Sequence, residues 1–263
     1  MSSDTLKPSE APAEALPGAL VEQERLAAVV ESYGEAYAPF DLKMREYMMR
    51  AFAPFFEDGP CLQVGCAHGD QTSLLLDRFG DVAVVEAARE FVEISRRLVG
   101  DRARFFECLI EDYETTERYQ TIIFAHVLEH VSDPEAVLRK LASLLTPTGR
   151  LYLVVPNAEA ASRRIAVKMG SLTHLEALSP DDIAAGHRRV YRLDTLCRDA
   201  VAAGLKLAHT GGIFFKPLAN FQLNALMGGP LISEQFMEGC YQLGVEQPTF
   251  CASIYVVAER TAP

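Results

Sequence analysis

Long apolar runs are missing from this sequence of 263 residues. No run approaches the ~18 residues that a helix needs to cross a bilayer, so we expect no membrane partner. The first residues, MSSDTLKPSEAPAEALPG, have no apolar stretch behind Lys7 and do not look like a secretory signal. Their Ser, Pro, Ala and Glu content predicts a disordered tail over residues 1–18.

Cysteine pairs and a basic surface are lacking as well. None of the six cysteines forms a C-x-x-C pair. Without an export signal, this predicts reduced, mostly buried thiols in a cytoplasmic protein. The net charge of −11 disfavours nucleic acid, because phosphate binding needs a concentrated basic face. The pairs Arg163-Arg164 and Arg188-Arg189 suffice for one phosphate or carboxylate.

The remaining pattern is typical of an α/β protein with additions. Two N-terminal helices are predicted within residues 19–57, at 20–30 and 42–56. From residue 58 onwards short apolar runs alternate with amphipathic segments. The predicted strands are 61–64, 82–85, 104–106, 121–124 and 151–155, and the predicted helices between them are 70–78, 88–99 and 134–145.

The pattern is less regular beyond Pro156. It predicts helices at 158–169, 193–203 and 232–243, strands at 206–215 and 253–258, and a loop at 170–186. The segments 160–190 and 216–247 are the expected lid and insert on the substrate side.

Chemistry is expected where the strands end, because ligands of parallel sheets bind beyond the carboxyl ends of the strands. The first strand is followed by Gly65 and Gly69, which let a ligand approach the backbone, and the second by Glu86, whose carboxylate suits a ribose diol. A glycine loop with an acid ~20 residues later is the general nucleoside-cofactor pattern. Alone it is a weak signal, because it also fits a tight strand–helix turn followed by a surface acid.

Two longer segments make the pattern specific. LQVGCAHGD with VVEA resembles the first two motifs of class I S-adenosylmethionine (SAM)-dependent methyltransferases. HVLEHVSDP, then a helix and LTPTGRLYLVVPN, resembles that family's fourth and fifth motifs. The resemblance is strong over residues 58–160 and is closest to the ubiquinone-biosynthesis-type and related small-molecule branch.

The resemblance implies a Rossmann-like α/β fold with a seven-stranded, mostly parallel sheet, helices on both faces and an antiparallel last strand. It implies SAM as cofactor in a domain spanning 58–263. The implied cofactor-binding residues are Gln63, Gly65, Cys66, His68, Gly69, Glu86, Leu109, Ile110 and Ala125. The sequence departs from the family pattern at Ala67, where a glycine is usual, and at Leu109, where an Asp is usual.

Histidines are the candidate bases, since methylation of a hydroxyl or an ammonium requires removal of a proton. His187 is the first choice and His126 the second, while His130 fits a structural residue bonded to backbone. His187 also fits a loop histidine that anchors the lid. Together the three imidazoles suit a metal, although no metal is predicted. The candidate substrate-binding residues are Arg188, Arg189, Phe215, Lys216 and Asn220.

The sequence therefore predicts a SAM-dependent methyltransferase acting on a small, anionic acceptor, at a hydroxyl oxygen. Nitrogen and carbon acceptors, with or without a metal, stay open. So do a dinucleotide-dependent oxidoreductase, a non-catalytic protein of the same fold, and a homodimer.

Overall fold

The computed structural model describes residues 29–30 and 37–261. Its helices are α1 (Pro39–Phe52), α2 (Asp70–Phe79), α3 (Arg89–Val99), α4 (Pro134–Leu144), α5 (Ala161–Lys168), α6 (Pro180–Ala184), α7 (Leu193–Ala202), α8 (Asn220–Leu226) and α9 (Glu234–Glu246). Its strands are β1 (Cys61–Val64), β2 (Val82–Glu86), β3 (Ala103–Glu107), β4 (Tyr119–Ala125), β5 (Leu145–Pro156), β6 (Leu205–Phe215) and β7 (Cys251–Arg260). Within this part of the chain no helix is long and apolar enough to span a membrane.

The seven strands form one sheet in the order β3-β2-β1-β4-β5-β7-β6. The first five strands pair in parallel, and β7 runs antiparallel to both β5 and β6. The strand order reverses beside β1, so β1 and β4 end next to each other, with their following loops side by side. This confirms the predicted Rossmann-like sheet and creates the crevice in which open α/β sheets bind ligands.

Each face of the sheet carries its own apolar core. On one face, Met48 of α1, Leu75 of α2 and Met237 of α9 belong to one buried cluster. On the other face, Leu138 of α4 and Leu196 of α7 belong to a second cluster. A sheet buried on both faces explains why its strands read as continuous apolar runs in the sequence.

Several boundaries differ from the predicted ones. The helix predicted over 42–56 begins at Pro39, because proline suits the first turn of a helix. Within the predicted loop 170–186, Ser179 and Asp182 form a capping box that starts α6. Helix α8 was not predicted. The tail 1–18 and most of the helix 20–30 lie outside the described residues.

Candidate active site

The loop from β1 to α2 depends on two glycines. Gly65 has φ of +77°, and a Cβ there would lie 2.4 Å from Cγ2 of Val127. Gly69 has φ of +91°, and its Cβ would lie 2.9 Å from the backbone of Ser95. Both positions therefore exclude a side chain, through conformation and through space. The loop is left with bare backbone facing the crevice.

Ala67 occupies the position where the family usually has glycine. Its φ of +44° lies in the left-handed region, which an alanine adopts at a cost. The hydroxyl of Ser95 donates to the carbonyl of Ala67 at 2.8 Å and holds this conformation. The departure thus keeps the backbone shape that glycine would give. The neighbouring Cys66 is no nucleophile, because burial raises the pKa of its thiol.

Glu86 ends β2 and faces the same loop. Its Oε2 accepts a hydrogen bond from the backbone N–H of Cys66 at 2.9 Å, and its Oε1 accepts one from Ala88 at 3.0 Å. Only 8% of the residue is exposed. Each carboxylate oxygen accepts more than one hydrogen bond, so the group retains acceptor capacity towards the crevice.

A cavity of about 850 Å³ opens beside this loop. Six of the nine predicted cofactor-binding residues line it: Gly65, Cys66, Glu86, Leu109, Ile110 and Ala125. The cavity continues past His126 and His187 to Lys216 and Asn220. One continuous space therefore joins the predicted cofactor and substrate regions, within the ~300–1,000 Å³ usual for ligand pockets.

The other three predicted cofactor residues lie behind the cavity wall. The amide of Gln63 donates to the carbonyl of Gly65 at 3.1 Å and so supports the loop. His68 packs its ring against Phe91, with centroids 5.6 Å apart. Gly69 forms the N-terminal cap of α2. These three residues support the loop and are not among the residues that line the cavity.

His187 forms a close pair with a carboxylate that the sequence did not single out. Its Nδ1 lies 3.0 Å from Oδ1 of Asp182. Asp182 also accepts hydrogen bonds from Arg163 at 2.8 Å and from the hydroxyl of Ser179 at 2.7 Å. Burial by itself would raise the pKa of Asp182, but the hydrogen bonds from His187, Ser179 and Arg163 hold it well below its ordinary value.

His126 also lines the cavity, directly after β4. It has φ of +58°, and its backbone N–H donates to the carbonyl of Val154 at 2.8 Å. Its Nε2 lies 3.3 Å from the hydroxyl oxygen of Ser253, and its Nδ1 lies 3.5 Å from Oε1 of Glu129. Left-handed backbone at a non-glycine residue is frequent at functional sites.

Glu129 is fully buried among the histidines. Within the described part of the chain, neither of its carboxylate oxygens accepts a hydrogen bond. Burial alone would raise the pKa of Glu129, but the imidazoles of His126, His130 and His187 hold it below its ordinary value. The ligand atoms of Glu129, His130 and His187 lie within 4.8 Å of one another, a grouping that suits a divalent metal.

The predicted substrate-binding residues divide into two groups. Lys216 and Asn220 line the cavity, whereas Arg188, Arg189 and Phe215 do not. Arg188 donates from Nε to the carbonyl of His130 at 2.8 Å, and Arg189 donates to the carbonyl of Val131 at 2.6 Å. Both guanidinium groups thus contact the loop after β4, outside the residues that line the cavity.

Phe215 packs its ring against Phe250, with centroids 6.2 Å apart.

Asp182 and Glu129 are the acidic groups that the sequence reasoning missed. The sequence signal for Asp182 was the capping box begun by Ser179, since a serine with an acid three residues later predicts a helix start. Glu129 lay between the two histidines of HVLEH without drawing notice.

Comparison with known proteins identifies the family of the chain. Residues 37–210 match the model of a family described as methyltransferase domain. A ubiquinone biosynthesis O-methyltransferase of Aeromonas salmonicida is 26% identical over 164 residues, covering 60% of this chain and 68% of that protein. A protein of the same name from Hydrogenovibrio crunogenus is 27% identical over 177 residues, covering 62% of this chain and 68% of its own.

Solved structures show the same fold at low identity. The N-methyltransferase NodS of Bradyrhizobium japonicum, solved with S-adenosyl-L-homocysteine, has a TM-score of 0.58 and 12% identity, covering 92% of this chain and 98% of its own. The glycopeptide N-methyltransferase MtfA, solved with SAM, has a TM-score of 0.55 and 15% identity, covering 83% and 94%. With the family match over most of the described residues, the chain belongs to the methyltransferase domain family and is a SAM-dependent methyltransferase.

Proposed function

We propose that the protein methylates a hydroxyl oxygen of a small-molecule acceptor, with His187 as the base that takes the hydroxyl proton. The observation that carries this proposal is the pairing of His187 with the buried Asp182 at the cavity wall. Oxygen as the acceptor atom is further supported by the relatives named O-methyltransferases.

The residues at the glycine loop fit SAM. A nucleoside needs a loop without side chains and an acceptor for its ribose hydroxyls, which Gly65 and Glu86 provide. Leu109 and Ile110 add an apolar wall for the adenine. When bound, SAM supplies an electrophilic methyl group on a sulfonium.

The Asp182 pair fixes which nitrogen of His187 serves as the base. The carboxylate of Asp182 is ionised and only accepts hydrogen bonds, so Nδ1 of His187 must donate. In the neutral ring Nε2 is then the unprotonated nitrogen, available for a proton from the acceptor hydroxyl. The resulting imidazolium would lie between Asp182 and Glu129, whose Oε1 is 4.0 Å from Nε2. Both carboxylates stabilise that positive charge.

His187→Gln tests the base, and His174→Gln is the matched control, because His174 is exposed and does not line the cavity. Conversion of SAM to S-adenosyl-L-homocysteine is first measured with the wild type and a panel of phenols, catechols and amines. With the best acceptor, His187→Gln should lower kcat by about 10²–10⁴, the usual contribution of a general base. Its affinity for S-adenosyl-L-homocysteine, measured by calorimetry, should be unchanged.

A wild-type rate in His187→Gln would remove His187 from the chemistry. Methylation of amines but not of hydroxyls would overturn the choice of oxygen. The control variant should match the wild type in both measurements.

Metal-assisted methylation is a second candidate, favoured by the unbonded carboxylate of Glu129 beside His130 and His187. In that case Nε2 of His187 would be a ligand, and Asp182 would orient the ring from the other side. The metal would lower the pKa of the acceptor hydroxyl directly. Activity abolished by a chelator and restored by Zn²⁺ or Mg²⁺ would favour this mechanism, whereas full activity in the chelator leaves His187 as the base.

A further inference from the structure

Lys216 directly follows β6 and lines the same cavity as Glu86. Its backbone is held on both sides: its N–H donates to the carbonyl of Phe250 at 3.3 Å, and its carbonyl accepts from Ser162 at 2.8 Å. The second bond ties it to the start of α5. Lys216 is therefore a fixed part of the cavity wall and not a surface lysine on a loop.

The backbone just before Lys216 is strained in a way that supports this position. Phe214 has φ of +65°, a conformation that costs a non-glycine residue energy, and its side chain is fully buried. Its ring packs against Phe40 and Tyr47, with centroids 5.2 and 5.7 Å away. These ring contacts hold Phe214 in its strained conformation and so fix the direction in which the chain leaves β6 towards Lys216.

The ammonium group of Lys216 has no counter-ion within the residues that the structure describes. No carboxylate there lies within ion-pair distance of Nζ, and its recorded partner is the ring of Phe40, 5.9 Å away. Burial lowers the pKa of Lys216 to about 8, and Asp41, Asp181 and Asp182 act on it only from a distance. Arg163, the other cation nearby, already binds Asp182.

A half-buried cation without a carboxylate partner is costly, and proteins keep such groups where a ligand supplies the missing charge. We infer that Lys216 binds a carboxylate carried by the methyl acceptor, so that the substrate is a small acid with an apolar body. This inference names the substrate class of the proposed methyltransferase site and rests on that function.

The charges around the cavity favour a singly charged acid over a phosphate. Asp41, Glu129, Asp181 and Asp182 all line the same space. The Lys and Arg residues that line it are Arg45, Arg163 and Lys216, so these carboxylates outnumber them, and a second negative charge on the ligand would add to the excess of negative charge. The ring of Phe40 beside the ammonium suits an apolar body attached to the acid group.

The chain offers a direct probe because it contains only six lysines. Reductive methylation with ¹³C-formaldehyde gives each lysine a separate NMR signal and keeps its charge, and Lys216→Arg identifies the signal of Lys216. In the protein saturated with S-adenosyl-L-homocysteine, this signal should titrate near pH 8. Benzoate should move the midpoint upwards by one pH unit or more, because a bound carboxylate stabilises the charged amine. Benzamide and inorganic phosphate should leave it in place.

Calorimetry gives an independent measurement. Lys216→Met should weaken benzoate binding at pH 7 by tenfold or more. Lys206→Met, which changes an exposed lysine at the opposite end of β6, should bind as the wild type does. Absence of benzoate binding to the wild type, equal binding of benzamide, a phosphate shift as large as that of benzoate, or unchanged affinity in Lys216→Met would each overturn the inference. Because no turnover is needed, failure of the methylation assay and failure of this assay are distinguishable.

Discussion

Replacing Glu86 with glutamine should weaken binding of S-adenosyl-L-homocysteine by about ten- to a hundredfold. The structure gives each carboxylate oxygen a backbone donor, Cys66 for Oε2 and Ala88 for Oε1. Glutamine has only one oxygen, so its amide nitrogen must face one of these N–H groups. A hydrogen bond to a charged group contributes ~1.5–3 kcal/mol, and each ~1.4 kcal/mol is tenfold in affinity.

The matched control for this change is Glu107→Gln. Glu107 pairs in register with Glu86 at the end of the neighbouring strand β3, but it is exposed and does not line the cavity. Affinity is measured by calorimetry at a temperature at which thermal melts show both variants folded. Equal affinity of Glu86→Gln and wild type would refute the assignment of Glu86 to the ribose, whatever the turnover.

Three further predictions concern the loop from β1 to α2 and the pair formed by His187 and Asp182. Gly65→Ala should abolish measurable cofactor binding in calorimetry, because its Cβ would lie 2.4 Å from a Val127 methyl group and φ is +77°. Wild-type affinity would show that the cofactor does not depend on the shape of the loop between β1 and α2. Ala67→Gly should raise the free energy of unfolding in urea by up to ~1 kcal/mol, since φ of +44° costs alanine more than glycine; a loss of stability would show that the position is unstrained. Asp182→Asn should be less stable than wild type at pH 7. Because the folded-state pKa of Asp182 is depressed, its contribution is present above the unfolded value of ~3.9 and is lost as the pH falls further, so the difference should shrink below about pH 4.

Periodicity predicted the sheet well because its strands are buried on both faces and its helices on one. The rule that ligands bind beyond strand ends pointed to Glu86 and His126, since Glu86 ends the apolar run of β2 and His126 directly follows β4. The same logic could not reach Asp182, because its role depends on how α6 folds against the strand ends. The spacing of residues in the sequence does not show that the distant segments around residues 129 and 187 are in contact in the fold.

Arg188 and Arg189 show why charge alone misleads. A basic pair beside the presumed lid predicted an anion site, but a guanidinium also serves as a donor to several carbonyls at once. The structure uses both side chains in that second way, against the loop that carries His130 and Val131. By contrast, the charge of Lys216 sits on one nitrogen, and in the described part of the chain this nitrogen donates to no carbonyl. Its ammonium is therefore available to a ligand.

The contacts of Arg188 also bring together the two segments that carry the candidate bases His126 and His187. The backbone N–H of Arg188 donates to the carbonyl of Glu129 at 2.9 Å, while its side chain reaches the carbonyl of His130. These bonds join the segment after α6 to the turn after β4. Arg188 directly follows His187, and Glu129 is three residues after His126. His187 Nε2 and His126 Nδ1 are thereby held 4.0 and 3.5 Å from the same oxygen of Glu129, Oε1. Both candidate bases therefore approach the same buried carboxylate, and the Arg188 contacts hold the two segments that carry them together.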